Sequence, residues 1–252
     1  MKVISWNLLR RSGAAVKDLT ALVERERPDL LLLQEAMEPV KSLPDLIGGQ
    51  VHHDLLPGRV HGLAVWTPHI VLAPDVLFLP VSRMPGRLPP RIAQIVRLDG
   101  VAFANVHLSH GQLLNRRQLY RIARSVHGPM AIVGDYNAVG PTVLPGFRDV
   151  GPRRVTHVAS NVIPFRLDRC LARELDCFEA RVLARGPSDH CPIMLDLRAA
   201  LDAVQPLADG LQPTAMEEAP RRTIRSLRHS LLGRTPLPAR RFARIRSGRT
   251  ST

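Results

Sequence analysis

Five apolar runs in this sequence end in, or begin from, polar side chains that could do chemistry. Asn7 ends Val3-Ile4-Ser5-Trp6, Glu35 closes the run that starts at Leu30, and His107 ends Val101-Ala102-Phe103-Ala104-Asn105-Val106. Asp135 and Asn137 follow Met130-Ala131-Ile132-Val133-Gly134, and Ser188-Asp189-His190 stands directly before Cys191-Pro192-Ile193-Met194-Leu195. A strand buried on both faces has no structural use for such groups. Strands laid side by side would bring these ends to one rim. Carboxylates, carboxamides and imidazoles gathered there suit a hard divalent cation with acid–base groups beside it. Oxygen donors favour magnesium or manganese over zinc. The close His/Cys spacings of structural zinc sites are missing, since Cys170, Cys177 and Cys191 are scattered and read as small packing side chains.

The elements that must position these residues follow from periodicity. Val16, Leu19, Leu22 and Val23 recur at helical spacing, and Pro28 closes that helix. Residues 29–35 read as a short buried strand. Further strands are expected at 62–66, 69–78, 92–98, 101–107, 130–135, 167–172, 178–183 and 192–197, with a helix at 112–126. The Pro/Gly-rich segments 39–49, 80–90 and 139–152 read as loops. Many strands with few helices argue for packed sheets flanked by helices, not a simple doubly wound sheet.

A length of 252 residues implies one or at most two domains with a proper core. At 45% hydrophobic and 23% charged, the chain is neither wholly disordered nor collagen-like. No apolar run approaches the roughly 18 to 20 residues of a membrane span. From the strand-like opening no signal peptide is expected, and three cysteines suit a reducing compartment, so a cytoplasmic location is expected. The net charge is +13, and 32 of the 35 cations are arginine. A GC-rich genome writes such a skew, yet arginine is also the residue that grips phosphate with paired hydrogen bonds, and both readings stay open. Residues 199–252 hold ten arginines against Asp202, Asp209, Glu217 and Glu218, a net +6 that marks a compositional boundary. Within them 203–220 reads as a linker. Ile224, Leu227 and Leu231 could line a short basic amphipathic helix, and the end is expected to be disordered.

Six elements occur in the order seen in the endonuclease/exonuclease/phosphatase superfamily, the group that contains deoxyribonuclease I. They are Trp6-Asn7, Leu33-Gln34-Glu35, Asn105-Val106-His107-Leu108, Gly134-Asp135-Tyr136-Asn137-Ala138, Arg166-Leu167-Asp168 and Ser188-Asp189-His190. Each is weak alone; six in order, each at an expected strand end, resemble that family closely over residues 1–198. The resemblance implies an α/β fold, a four-layered α/β/β/α sandwich with two packed mixed sheets flanked by helices. It also implies a divalent-metal-dependent hydrolase of phosphoester bonds. Carried over, Glu35 would be the principal metal ligand, with Asn7 and Asp189 placing the ion or its waters. His190 would act as general base or polarise the phosphate, with Asp168 holding its ring. Asp135 would position or deprotonate the attacking water, and Asn137 would bond a phosphate oxygen. His107 would contact the scissile phosphate, and Arg91 resembles a phosphate-contacting arginine of some members. Where apurinic-site members often carry an acid two residues after the first-strand asparagine, this chain has Leu9.

Substrate class is carried by loops, so two enzymatic readings compete. A phosphodiesterase, with nucleic acid the favoured partner and Mg2+ (or Mn2+) the cofactor, suits the positive charge. A phosphatase or sphingomyelinase-like activity on a small or lipid phosphate ester suits the thin aromatic content of 4%, which leaves no extensive base-stacking platform. A binding module without catalysis would be expected to have lost site residues, and the main positions are present. A monomer is expected. The basic tail reads as a solvated extension, a weak nucleic-acid anchor or an anionic-membrane anchor. His157, His229 and most other histidines read as surface or packing residues, with His61 or His110 candidates to line the cleft.

Overall fold

The computed structural model describes residues 1–200 apart from 11, 83–87 and 161. The linker, amphipathic helix and disordered end expected within 201–252 lie outside the described residues.

Two six-stranded sheets carry the fold. The strands, in chain order, are β1 (Lys2–Asn7), β2 (Leu30–Met37), β3 (Gln50–Leu55), β4 (His61–Thr67), β5 (Asp75–Phe78), β6 (Ile92–Leu98) and β7 (Val101–His107). They continue with β8 (Met130–Asp135), β9 (Arg148–Asp149), β10 (His157–Ala159), β11 (Ile163–Phe165), β12 (Asp168–Arg173), β13 (Leu175–Val182) and β14 (Ile193–Ala199). The first sheet has the order β13-β14-β1-β2-β4-β3 and the second β5-β6-β7-β8-β12-β9; β10 and β11 form a separate hairpin. Both large sheets are mixed, since β1–β2 and β7–β8 run parallel and their other pairs antiparallel.

Three buried clusters define the layers. Val3, Leu30, Leu32 and Val65 of the first sheet pack against Val96, Phe103, Val133 and Cys170 of the second. Ile4, Leu31 and Leu33 point the other way, onto Leu19, Leu22 and Val23 of helix α1 (Val16–Glu26) and Leu43 of α2 (Leu43–Ile47). Ala104, Val106 and Ile132 meet Leu119 and Ile122 of α3 (Gln112–Ala123) on the far side of the second sheet. Alternation of side chains along each strand thus sends one set to the inter-sheet core and the other to a helix layer. The chain has the expected α/β/β/α sandwich.

Two local expectations were wrong, and some short strands went unread. Residues 39–49, expected as a loop, hold a 3-10 turn (Glu38–Ser42) and α2; Pro39 and Pro44 stand at first-turn positions, where a missing N–H costs nothing. The strand expected over 69–78 shrinks to β5, because Pro74 cannot donate to a ladder and Ile70 and Leu72 lie exposed. Edge strand β3 escaped the apolar pattern because it is only partly buried and rich in polar residues, and the β10–β11 hairpin because its strands are three residues each and lie at least partly exposed.

Gly134 shows how tightly the second sheet is set beside the site. Its φ of +144° and a position where a Cβ would lie 2.0 Å from the Val106 carbonyl oxygen leave room for glycine alone.

Candidate active site

Register alone brings three polar side chains into a row. Parallel pairing of β7 with β8 sets His107 opposite Asp135, and antiparallel pairing of β12 with β8 sets Asp168 opposite Asp135. Residues directly opposite share a face of the sheet. That face looks toward the first sheet, whose β1 ends on Asn7.

Asp135 is the centre of the group. Its Oδ2 accepts a hydrogen bond from Asn7 Nδ2 at 2.9 Å and lies 3.4 Å from His107 Nε2 and 3.8 Å from His190 Nε2. Its Oδ1 accepts the backbone N–H of Asn137 at 2.9 Å. Asn137 takes a left-handed backbone (φ +49°), which asparagine tolerates, and its Nδ2 donates to the Leu108 carbonyl at 3.1 Å. Asp168 Oδ2 holds Nδ1 of His190 at 2.8 Å, and Thr156 Oγ1 accepts the Asp168 N–H at 3.0 Å. Ser188 ties the rim together, donating to the Asn7 carbonyl at 2.7 Å and accepting the His190 N–H at 3.1 Å.

The two central imidazoles differ in charge. Burial disfavours the imidazolium of His190, but the Asp168 and Asp135 carboxylates outweigh it and push its pKa up to about 9. His107, 4% exposed, is pulled down to about 3 by burial and then by the Arg91 charge, so it stays neutral. Burial works against the charge of Asp135 too; the neighbouring imidazoles and the Asn137 and Asn7 hydrogen bonds nonetheless hold its carboxyl below the usual range.

Glu35, Asp189 and Arg91 flank this group. Glu35 sits at a β-bulge between Gln34 and Ala36 with φ +53°; its Oε2 accepts the Arg10 N–H at 3.2 Å, and its Oε1 makes no hydrogen bond among the described residues. Asp189 Oδ2 lies 3.8 Å from His157 Nδ1. Arg91 precedes β6, is 8% exposed, and feels the charges of both Asp135 and Glu35. Two donor sets among the described residues have their ligand atoms within 4.8 Å of one another: His157, Asp189 and His190, and Asp135, Asp168 and His190. Glu35 belongs to neither. Asn7, His107, Asp135, Asn137, Asp168 and His190 therefore form one connected group, while Glu35, Asp189 and Arg91 stand around it.

Sequence reasoning passed over His157. Its ring centroid lies 4.2 Å from that of His190, and the two residues form an isolated antiparallel bridge. Periodicity carries no signal for it; only the position next to Thr156, which binds the Asp168 backbone, marks it.

Acid, amide and imidazole groups at the strand ends of a two-sheet sandwich define a hydrolase-type site. The sequence matches the Endonuclease/Exonuclease/phosphatase family over residues 4–190. The chain belongs to that family, whose members are phosphoester hydrolases. No curated protein sequence matches it. Its fold resembles D. rerio TDP2 in complex with a single-strand DNA product (TM-score 0.62, 17% identity, 79% of this chain and 99% of that one). The human Nocturnin catalytic domain with bound sulfate gives a TM-score of 0.60 at 17% identity, over 79% and 94%. A mannosyl-6-phosphatase from Bacteroides thetaiotaomicron gives 0.63 at 16% identity, over 79% and 99%.

Proposed function

We propose that the chain is a divalent-metal-dependent phosphodiesterase with nucleic acid as its favoured substrate. The observation that carries this is the Asp135 carboxylate, held by Asn7 and flanked by a neutral His107 and a charged His190 that Asp168 orients. Glu35, Asn7 and Asp189 would hold the cation. All three offer oxygen, Glu35 Oε1 makes no hydrogen bond among the described residues, and magnesium needs one or two carboxylates because it keeps several waters. When bound, such an ion neutralises charge on the phosphoryl oxygens.

The chain's own groups supply the rest. Asp135 orients a water and takes its proton as the new O–P bond forms and the bond to the leaving oxygen breaks. His190 keeps Nδ1–H on Asp168 and turns Nε2–H toward the site, where it stabilises a phosphoryl oxygen as charge builds on it. Asn137, His107 and Arg91 add donors around the phosphate.

TDP2 with its DNA product supports the nucleic-acid reading, as does the positive charge of this chain. The mannosyl-6-phosphatase neighbour, together with an aromatic content of 4%, favours a second reading: a phosphatase for a small phosphate ester. Plasmid DNA, bis(p-nitrophenyl) phosphate and sugar phosphates, each with magnesium and with chelator, separate the two. His190→Ala and Glu35→Ala should each lower turnover by roughly 10²–10⁴-fold with circular dichroism unchanged. Near-wild-type turnover by either variant, or activity indifferent to chelator, would sink the mechanism.

A further inference from the structure

Beside the proposed site carboxylates, one buried histidine touches Arg10 and feels the charges of Arg91 and Arg59. Arg10 follows β1, its N–H bonded to Glu35, and its Nη1 lies 3.4 Å from His61 Nδ1. His61 opens β4, pairs with Met37 two residues beyond Glu35, and is 5% exposed. Arg59 stands in the turn that enters β4, with its N–H bonded to the Leu56 carbonyl at 3.0 Å. Arg91 stands at the start of β6, and its buried Nε finds no hydrogen-bond partner. Burial first, then the charges of Arg10, Arg91 and Arg59, keep His61 neutral, its pKa down to about 4. Because Nδ1 faces the Arg10 guanidinium, which can only donate, the His61 proton sits on Nε2, leaving a further donor in the cluster.

Some arginines elsewhere in the fold are paired with carboxylates. Arg97 pairs with Asp75, Arg166 with Asp149 and Arg181 with Glu26. Among the described residues, by contrast, no carboxylate oxygen lies within 4.0 Å of Arg10, Arg59 or Arg91. Arg10 and Arg59 are exposed, whereas the Arg91 guanidinium is buried with an Nε–H that has no partner, a group that is costly to leave unsatisfied and that an anion would pair. Such a set of donors matches phosphate.

We propose that Arg10, Arg59 and His61, with Arg91 shared between it and the reacting centre, form an anion subsite for a second, non-scissile phosphate of the substrate. The inference rests on the phosphoester-hydrolase reading and narrows it to substrates that carry a further phosphate beside the one attacked. A terminal phosphate on a small ester and the next diester of a nucleic-acid strand offer the same chemistry.

The test compares kcat/KM for three chromogenic substrates of the full chain: the p-nitrophenyl ester of a thymidine phosphate, the same ester with a second terminal phosphate, and the corresponding dinucleotide ester. The second phosphate should raise kcat/KM about tenfold in at least one arm, and the arm that shows the gain names the source. In Arg59→Gln and Arg10→Gln the ratio between substrates with and without the second phosphate should fall to within about twofold of unity, whatever happens to the absolute rates. A wild-type ratio near unity, or one that both variants retain, overturns the subsite. If the wild type turns over none of the three, the hydrolase reading is what has failed. Calorimetric titration with pyrophosphate then decides the subsite: binding about tenfold weaker in Arg59→Gln supports it, and equal binding overturns it.

Discussion

Glu35 occupies a left-handed backbone conformation that costs a side-chain-bearing residue about 1–2 kcal/mol, and it does so at a bulge. Two residues of β2 there oppose one of β4, so the carboxylate leaves the regular alternation that would aim it into the sheet face. If the strain serves to aim Glu35, removing the carboxylate need not harm the fold. Glu35→Gly should be about 1 kcal/mol more stable than Glu35→Ala in urea unfolding, with both equally inactive. A glycine variant no more stable than the alanine one would mean that the bulge is relaxed. At the residue scale the sequence was most informative about type: a glutamate, a histidine or an aspartate at the end of an apolar run needs a reason. It was silent about aim. The bulge at Glu35, the partners of His61 and the close approach of the His157 ring to His190 depend on neighbours distant in the chain.

Between the two sheets runs a polar seam that fixes how they face each other. Gln34 of β2 donates to Asn105 Oδ1 at 2.8 Å and to Ser5 Oγ at 3.0 Å. Asn105 of β7 donates across to the carbonyls of Leu33 and Ala64 and to Gln94 Oε1, and Gln94 in turn reaches Asp54 Oδ2 at 2.6 Å. Asn105 lies two residues before His107 and shares its face, so the seam sets the spacing between the Asn7 end of β1 and the His107–Asp135 row. Asn105→Leu strands the Gln34 amide and removes the donor to two carbonyls of the opposite sheet. It should cost about 3 kcal/mol in chemical denaturation and lower kcat beyond what the lost stability explains. Unchanged kcat in the folded variant would separate the seam from the site. The apolar strands that flank it were legible in the sequence because both their faces are buried. Strand β3 was not, being an edge strand read as Gln50-Val51-His52-His53-Asp54-Leu55, and it contributes to the seam through polar groups.

For the molecule as a whole, the +13 charge is a weaker guide to behaviour in acid than the histidines it surrounds. His107 and His61 are buried neutral, with pKa values held down to about 3 and about 4, whereas in the unfolded chain each would titrate near 6.5. Between those limits the unfolded chain binds protons that the folded one refuses. Stability is therefore fully present above about pH 6.5 and is lost as the pH falls toward 4 and then 3. His190 acts in the opposite sense: its pKa, raised to about 9, adds stability that is complete below about pH 6.5 and is lost as the pH climbs through 9. The unfolding free energy should thus peak near neutrality, with an acid limb from His107 and His61 and an alkaline limb from the Asp168–His190 pair. Each refused proton contributes about 1.4 kcal/mol per pH unit to the acid limb. Urea titrations at closely spaced pH values between 4.5 and 6.5 measure that slope. His107→Gln, which keeps a neutral polar group opposite Asp135, should flatten it by about 1.4 kcal/mol per unit and leave the alkaline limb in place. An acid limb as steep in the variant as in the wild type would show that His107 takes up its proton in the folded protein. The neutral partner of Asp135 would then be lost from the site, and with it the division of charge between the two imidazoles on which the chemistry rests.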